Sequence, residues 1–143
     1  YATEFDSDDS TATISTIYGN KNGRTFVYAQ EKGVNAAGSA MTAYIESGDI
    51  DIADGDQFMS ISRFIPDFKN QTGTVDVTVK SRPYPASSQT TNGPYAITTS
   101  TTKQDTRIRG RQLALRVGSD AVDEDWRYGT MRFDGKPDGL RGG

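Results

Sequence analysis

Thr74-Val75-Asp76-Val77-Thr78-Val79-Lys80 alternates polar and apolar side chains without a break. In a strand, successive side chains point to opposite faces, so the three valines share one side and the threonines, Asp76 and Lys80 the other. A helix would scatter the valines around its circumference, whereas a strand gathers them into one buried face with a wet face behind it.

The rest of the chain supports the same choice. Its 143 residues include 17 Thr, 9 Ile and 7 Val, which are β-branched and fit a pleated surface, but only Leu113, Leu115 and Leu140 to fill a helical stripe. No window of a dozen residues repeats apolar positions at three and four, so little or no helix is expected. Strands are predicted at about 11–18, 24–31, 40–46, 57–65, 73–82, 94–102, 106–117 and 126–134, separated by turn residues. About eight strands of this kind predict an all-β, antiparallel β-sandwich, jelly-roll-like. Gly19-Asn20-Lys21-Asn22-Gly23 predicts a hairpin between the first two, because Asn and Gly accept the positive φ of a tight reversal.

Two strand candidates break their own alternation. Arg107, Arg109 and Arg111 share parity with Leu113, Leu115 and Val117, which would put guanidinium groups and aliphatic side chains on one face. A bulge at Gly110 would flip the facing and bring Ile108 inside with the leucines while the arginines turn outward. Trp126 and Tyr128 differ in parity from Met131 and Phe133 across Gly129, which predicts a second bulge or kink. Ser81–Asn92, with Pro83 and Pro85, reads as a long exposed loop. The expected organisation is a flexible or connecting segment over 1–10, one sandwich domain over 11–134 and a C-terminal tail over 135–143. The chain opens at Tyr1 rather than a methionine, and the expectation is a segment of a longer polypeptide.

The chain has no cysteine and no histidine. Disulfides, thiol nucleophiles and cysteine zinc sites are thereby excluded, together with the side chain most used as a general base. No apolar stretch is long enough to span a bilayer as a helix, and no membrane partner is expected. The net charge of −3 is unevenly spread: residues 1–60 hold ten acids against three bases, whereas 61–143 hold thirteen bases against nine acids. Such polarity can orient neighbouring subunits.

Several constellations invite chemistry. Asp49, Asp51, Asp54 and Asp56 surround a turn glycine, as calcium loops do, but the third acid falls one residue late and Ser60 stands where the closing glutamate belongs. Ile50 and Ile52 between the acids equally fit a strand with one wet face. Asp120, Asp123, Glu124 and Asp125 precede Trp126, a pairing of carboxylates and an aromatic ring that glycosidases use; a run of acids in a turn is as readily a solvated one. No Ser-x-x-Lys pair replaces the missing histidine. The cluster Arg107, Arg109, Arg111 and Arg116 could meet phosphates, yet in an acidic chain it fits carboxylates of a neighbouring strand or subunit. Asn70-Gln71-Thr72 matches a glycosylation acceptor and also a threonine-rich turn. No metal, cofactor or catalytic group is predicted, and the chain is read as no enzyme.

Two segments together carry a resemblance. Gly48-Asp49-Ile50 through Gly55-Asp56-Gln57-Phe58, with Arg63-Phe64-Ile65-Pro66-Asp67-Phe68, forms the first. Arg107-Ile108-Arg109-Gly110-Arg111-Gln112, Ser119-Asp120, Trp126-Arg127-Tyr128-Gly129, Arg132-Phe133-Asp134 and Pro137-Asp138-Gly139-Leu140-Arg141 form the second. In order and spacing, residues 45–141 resemble the C-terminal part of tail nozzle proteins, or tail tubular protein B-like proteins, of short-tailed bacteriophages. Tyr128 stands where that pattern has an aliphatic residue, and Leu140 interrupts its Gly-Arg-Arg-like ending. The resemblance implies a structural virion component, a domain of a tail nozzle or tail tube that forms part of the channel for DNA ejection. It implies a homo-oligomeric ring, six-fold, beneath adjacent tail or adaptor proteins, with DNA passing through transiently and without specific binding. Arg107, Arg109, Gly110, Arg111, Gln112, Trp126, Arg127, Gly129 and Arg132 would organise the last sheet and its subunit contacts.

A different class of function competes with this one: a carbohydrate- or receptor-binding β-sandwich module on a virion or cell surface. Tyr84 and Tyr95, flanking the Ser/Thr/Asn-rich loop, with Asn92, would offer flat rings and an amide to a sugar face.

Overall fold

The computed structural model describes residues 17–21, 24–28, 33–36, 38–52 and 57–140. Its contacts divide the chain into two units, residues 1–42 with 120–124, and residues 43–119 with 125–143.

In the first unit, β1 (Ile17–Lys21) and β2 (Arg24–Tyr28) pair antiparallel with Lys21 opposite Arg24, as the hairpin expectation requires; Asn22 and Gly23 lie outside the described residues. Asp123 adopts a left-handed φ of 63°, and its backbone N–H donates to Asn35 Oδ1 at 2.8 Å. Glu124 accepts from the Ala121 N–H at 3.0 Å, which folds the acidic turn upon itself.

The second unit is an all-β antiparallel sandwich of ten strands, with no helix among the described residues. One sheet orders β3 (Ala43–Glu46), β10 (Gln112–Ser119), β7 (Val75–Arg82) and β8 (Thr90–Ile97), with β4 (Ile50–Asp51) continuing β3 along β10. The other orders β12 (Arg132–Leu140), β5 (Gln57–Ile65) and β9 (Gln104–Gly110). A two-stranded sheet pairs β11 (Asp125–Tyr128) with β6 (Phe68–Thr72).

Val75, Val77 and Val79 are all fully buried, so the alternation of β7 places its valines in the core as predicted. They meet Ile61 and Phe64 from β5, Ile97 from β8, Ile108 from β9 and Val117 from β10. β5 reaches that core from both halves because it carries an extra residue, Ser62, in its pairing with β12, where Arg63 faces Asp134 and Ile61 faces the very next residue, Gly135. The extra residue shifts the inward phase from Ile61 to Phe64 and leaves both Ser62 and Arg63 outside.

The predicted break at Gly110 turns out to be larger than a bulge. β9 ends there, Arg111 alone bridges, and β10 begins at Gln112 in the other sheet. The facing comes out as expected, with Ile108 buried and Arg107 and Arg109 exposed, because each sheet sets its own parity. Gly129 likewise marks the passage from β11 to β12. The runs 106–117 and 126–134, each predicted as one strand, are therefore two strands apiece.

Other boundaries also move. β8 begins at Thr90, inside the expected loop, which shortens to 83–89. β6, short and polar, had no counterpart among the predicted strands, whereas β4 is the strand that Ile50 between the acids fitted as the alternative to a calcium loop. The expected tail from 135 instead extends β12 to Leu140; β12 is an edge strand, the place in a sheet where a proline such as Pro137 is tolerated, and its register shifts after Asp134 and after Pro137. The expectation for 1–10 lies outside the described residues.

Candidate functional site: the outer face of the β12–β5–β9 sheet

Three of the segments that carry the resemblance are far apart in sequence but meet on one sheet. β9 contributes Arg107 and Arg109, β5 contributes Arg63, and β12 contributes Arg132, Asp134, Lys136 and Asp138. All of these residues point away from the core, because Ile61, Phe64, Ile108 and Phe133 take the inward positions of the same strands.

Register arranges the charges in rows. Arg63 lies opposite Asp105 on one side and Asp134 on the other, which makes an alternating row across three strands. Arg63 Nε donates to Asp134 Oδ2, and this hydrogen bond, ahead of the nearby charges, holds the guanidinium pKa above its ordinary value. In the next row Ser60 separates Arg109 from Lys136. Arg109 is spoken for: its Nε donates to Asp138 Oδ2 at 2.6 Å, a second nitrogen donates to the Asp138 carbonyl at 2.9 Å, and its guanidinium lies 4.1 Å above the Phe58 ring. Arg107, Arg132 and Lys136 are exposed and have no partner among the described residues.

The outer face of the other sheet is different. Lys80 and Arg116 both bond Glu46, Arg82 Nε lies 3.2 Å from Asp49, and Arg116 also stacks 3.9 Å from the Tyr44 ring centroid. Hydrogen bonds from Lys80 and Arg116 hold the Glu46 carboxyl below its usual range. Every cation from β7 and β10 on that face is thus engaged.

The remaining predicted residues are structural. Gly110 sits so close to the facing sheet that a Cβ would lie 3.0 Å from Ser81 Cβ and 3.1 Å from the Arg82 carbonyl. Arg111 donates its backbone N–H to that carbonyl and accepts from the Ile52 N–H. Gln112 is buried and donates to Asp51 Oδ1 at 2.8 Å. Trp126 is half-buried, edge-on to Phe68, with its indole N–H donating to Ser119 Oγ at 3.0 Å. Gly129 donates to the Asp67 carbonyl at 2.8 Å, and a Cβ there would strike the Asp67 carboxylate. Arg127 is exposed on β11 opposite Lys69. Phe58, Arg63 and Asp138, quoted above only for the resemblance, and Lys136, not singled out at all, also belong to the face; the pairing of β5 with both neighbours reveals their place.

The acidic segment at 49–51 is occupied by protein partners: Asp49 by Arg82 and Gln89, Asp51 by Gln112. Asp54 and Asp56 lie outside the described residues. The proposed sugar platform is not assembled. Tyr95 turns inward, edge-on to Phe64 with centroids 5.5 Å apart and its hydroxyl 2.6 Å from Thr106 Oγ1; the Asn92 amide donates to the Val79 carbonyl. Of the three residues, Tyr84 alone is exposed, at 55%.

The sandwich is also incompletely filled. Ile45, Ile50, Leu113 and Leu115 on one sheet and Ile61 and Phe133 on the other line an open apolar crevice of about 660 Å³.

No protein-family model matches this chain, and no curated protein matches it.

Proposed function

We propose that this chain is a non-enzymatic structural module of a phage virion, a domain of a tail nozzle or tail-tube protein whose copies close into a ring around the channel for DNA ejection. The observation that carries this reading is that three of the resembling segments, around Arg63, at 107–110 and at 132–138, lie side by side on one outer sheet face rich in guanidinium groups and carboxylates. Forked donors and carboxylates on a rigid, twisted sheet suit repeated contacts between identical copies, and a face that differs from its opposite suits head-to-tail closure. A chain without histidine or cysteine, whose Asp49, Asp51, Asp123 and Glu124 are tied to its own backbone and side chains, fits a role decided by shape.

Native mass spectrometry of the intact assembly, with the denatured subunit mass from the same preparation, tests it. The expected result is a closed ring of identical subunits, six-fold, with each subunit heavier than 15.5 kDa. A free 15.5 kDa monomer would overturn the proposal.

A further inference from the structure

We infer that β11 is a self-docking edge: Asp125–Tyr128 of one copy pairs antiparallel with the same strand of a second copy about a two-fold axis at Trp126, so that Asp125 of each meets Arg127 of the other. Such a contact is isologous and joins chains in pairs, whereas a ring closes through a heterologous one, so the inference goes beyond the ring reading and does not rest on it.

The strand offers an open edge. Among the described residues β11 pairs with β6 and with no other strand. The Gly129 N–H donates to the Asp67 carbonyl at 2.8 Å, and antiparallel alternation then turns the backbone groups of Arg127 toward β6 and those of Trp126 and Tyr128 away from it. An unpaired row of this kind is a template for another strand. The edge strands β8 and β12 carry Pro94 and Pro137, which withhold a donor from any incoming ladder, and β11 has no proline. Two strands alone make a marginal sheet, and β6–β11 joined to its copy makes one of four.

Charge selects the occupant and the register. Arg127 stands directly opposite Lys69, a like-charged cross-strand pair of the kind that destabilises a sheet. Asp125 lies two residues along the same strand, on the same exposed face, and forms no ion pair among the described residues. A copy centred on Trp126 puts each Asp125 opposite the other copy's Arg127, with about 5 Å between Cβ atoms, so the repulsion from Lys69 is answered by a carboxylate on the far side. Centring on Asp125 or on Arg127 sets like charges opposite, and centring on Tyr128 leaves the carboxylates and guanidinium groups apart. On the other face the two half-buried Trp126 rings become neighbours and extend the cluster that Trp126 and Tyr128 form with Phe68. Asp105-Thr106-Arg107 of β9 repeats the spacing, but there Asp105 already faces Arg63 and the ladder is irregular between Asp105 and Ile108.

The test uses the full chain and the variants Arg127→Asp, Asp125→Arg and the two combined, with folding checked by far-ultraviolet circular dichroism. Arg127→Asp sets a carboxylate opposite Lys69, so the strand pair should hold. Sedimentation velocity and native mass spectrometry over a concentration series, at about 0.05 M NaCl where exposed charges are weakly screened, read the fraction of paired chains. The expected result is a doubling of the parent species that either single reversal weakens about tenfold or more, because each sets like charges opposite twice in the contact, and that the combined variant recovers. An equimolar mixture of the two single variants, one isotope-labelled, should recover pairing as well, and only between unlike chains. Where a reversal fails to fold, Arg127→Gln and Asp125→Asn take its place, with a smaller weakening expected. A parent that does not double overturns the inference, as do variants that pair as tightly as the parent and a mixture that stays unpaired. A ring that forms without doubling overturns the inference and leaves the ring reading standing; doubling without a ring does the reverse.

Discussion

Gly110, the last residue of β9, lies against Ser81 of β7 so closely that a methyl group on the glycine would stand 3.0 Å from the serine Cβ. The two residues belong to opposite sheets, and this is where the chain passes from one sheet to the other in a single step at Arg111. The contact is made of backbone and Cβ atoms, which cannot rotate away as a long side chain would.

Gly110→Ala is therefore expected to destabilise the fold by about 1–3 kcal/mol, the usual range for forcing an extra methyl into a packed interior. Urea unfolding followed by tryptophan fluorescence checks it through Trp126. A midpoint unchanged from the parent would show that the sheets part at Ser81 without cost.

Phe64 is fully buried and packs edge-on to Tyr95 and tilted against Phe133. Phe64→Ala removes the largest wholly buried side chain among the described residues and is expected to cost about 3–5 kcal/mol. Tyr95→Phe keeps the packing but loses the bond to Thr106, at about 0.5–1.5 kcal/mol, and leaves glycan-array signal unaltered because the ring faces inward. Paired denaturation curves for the two variants distinguish these magnitudes.

Glu46 supplies a pH dependence whose sign is fixed by its partners. Hydrogen bonds from Lys80 and then Arg116 depress its folded-state pKa below the ordinary glutamate value of about 4.3. The stability it contributes is present in full above that ordinary value and is lost as the pH falls through the lower, folded one. Glu46→Gln should flatten this acid limb in urea midpoints measured from neutral pH downward, with Lys80 and Arg116 unchanged. An acid limb identical to that of the parent would show that the carboxylate adds nothing.

The crevice between the sheets leaves Ile50 exposed at 60% beside half-buried Leu113 and Leu115. A hydrophobic dye such as anilinonaphthalene sulfonate is expected to bind the folded chain under native conditions, because a concave apolar surface of this size holds drug-sized ligands. Ile50→Glu should remove most of that fluorescence without unfolding the protein. Equal fluorescence from both chains would place the dye elsewhere.

Much of the fold was legible in the sequence because strand facing is a local property. β7 announced itself by alternation, and β5 was bounded at 57–65 by its apolar run between turn residues. The glycines at 110 and 129 marked real breaks, since parity on their two sides could not be reconciled in one strand. Tyr95 was misjudged for the opposite reason: a tyrosine beside a polar loop looks exposed until Phe64, thirty-one residues earlier, is known to lie against it. The candidate face was half legible. Arg107 and Arg109 stood out as a pair, but Arg63 and Lys136 acquire meaning only beside them.

By itself, the sequence determined that the described part of the chain is all-β, which residues of β7 and of the runs on either side of Gly110 turn inward, and that histidine- and thiol-based chemistry is absent, because composition and a period of two act residue by residue. Tertiary structure alone decided that Gly110 joins two sheets instead of bulging one, and which arginines find a carboxylate and which do not. Those outcomes depend on strand partners far away in the chain: Asp134 reaches Arg63 across 71 positions and Asp138 reaches Arg109 across 29, separations over which no local pattern carries information.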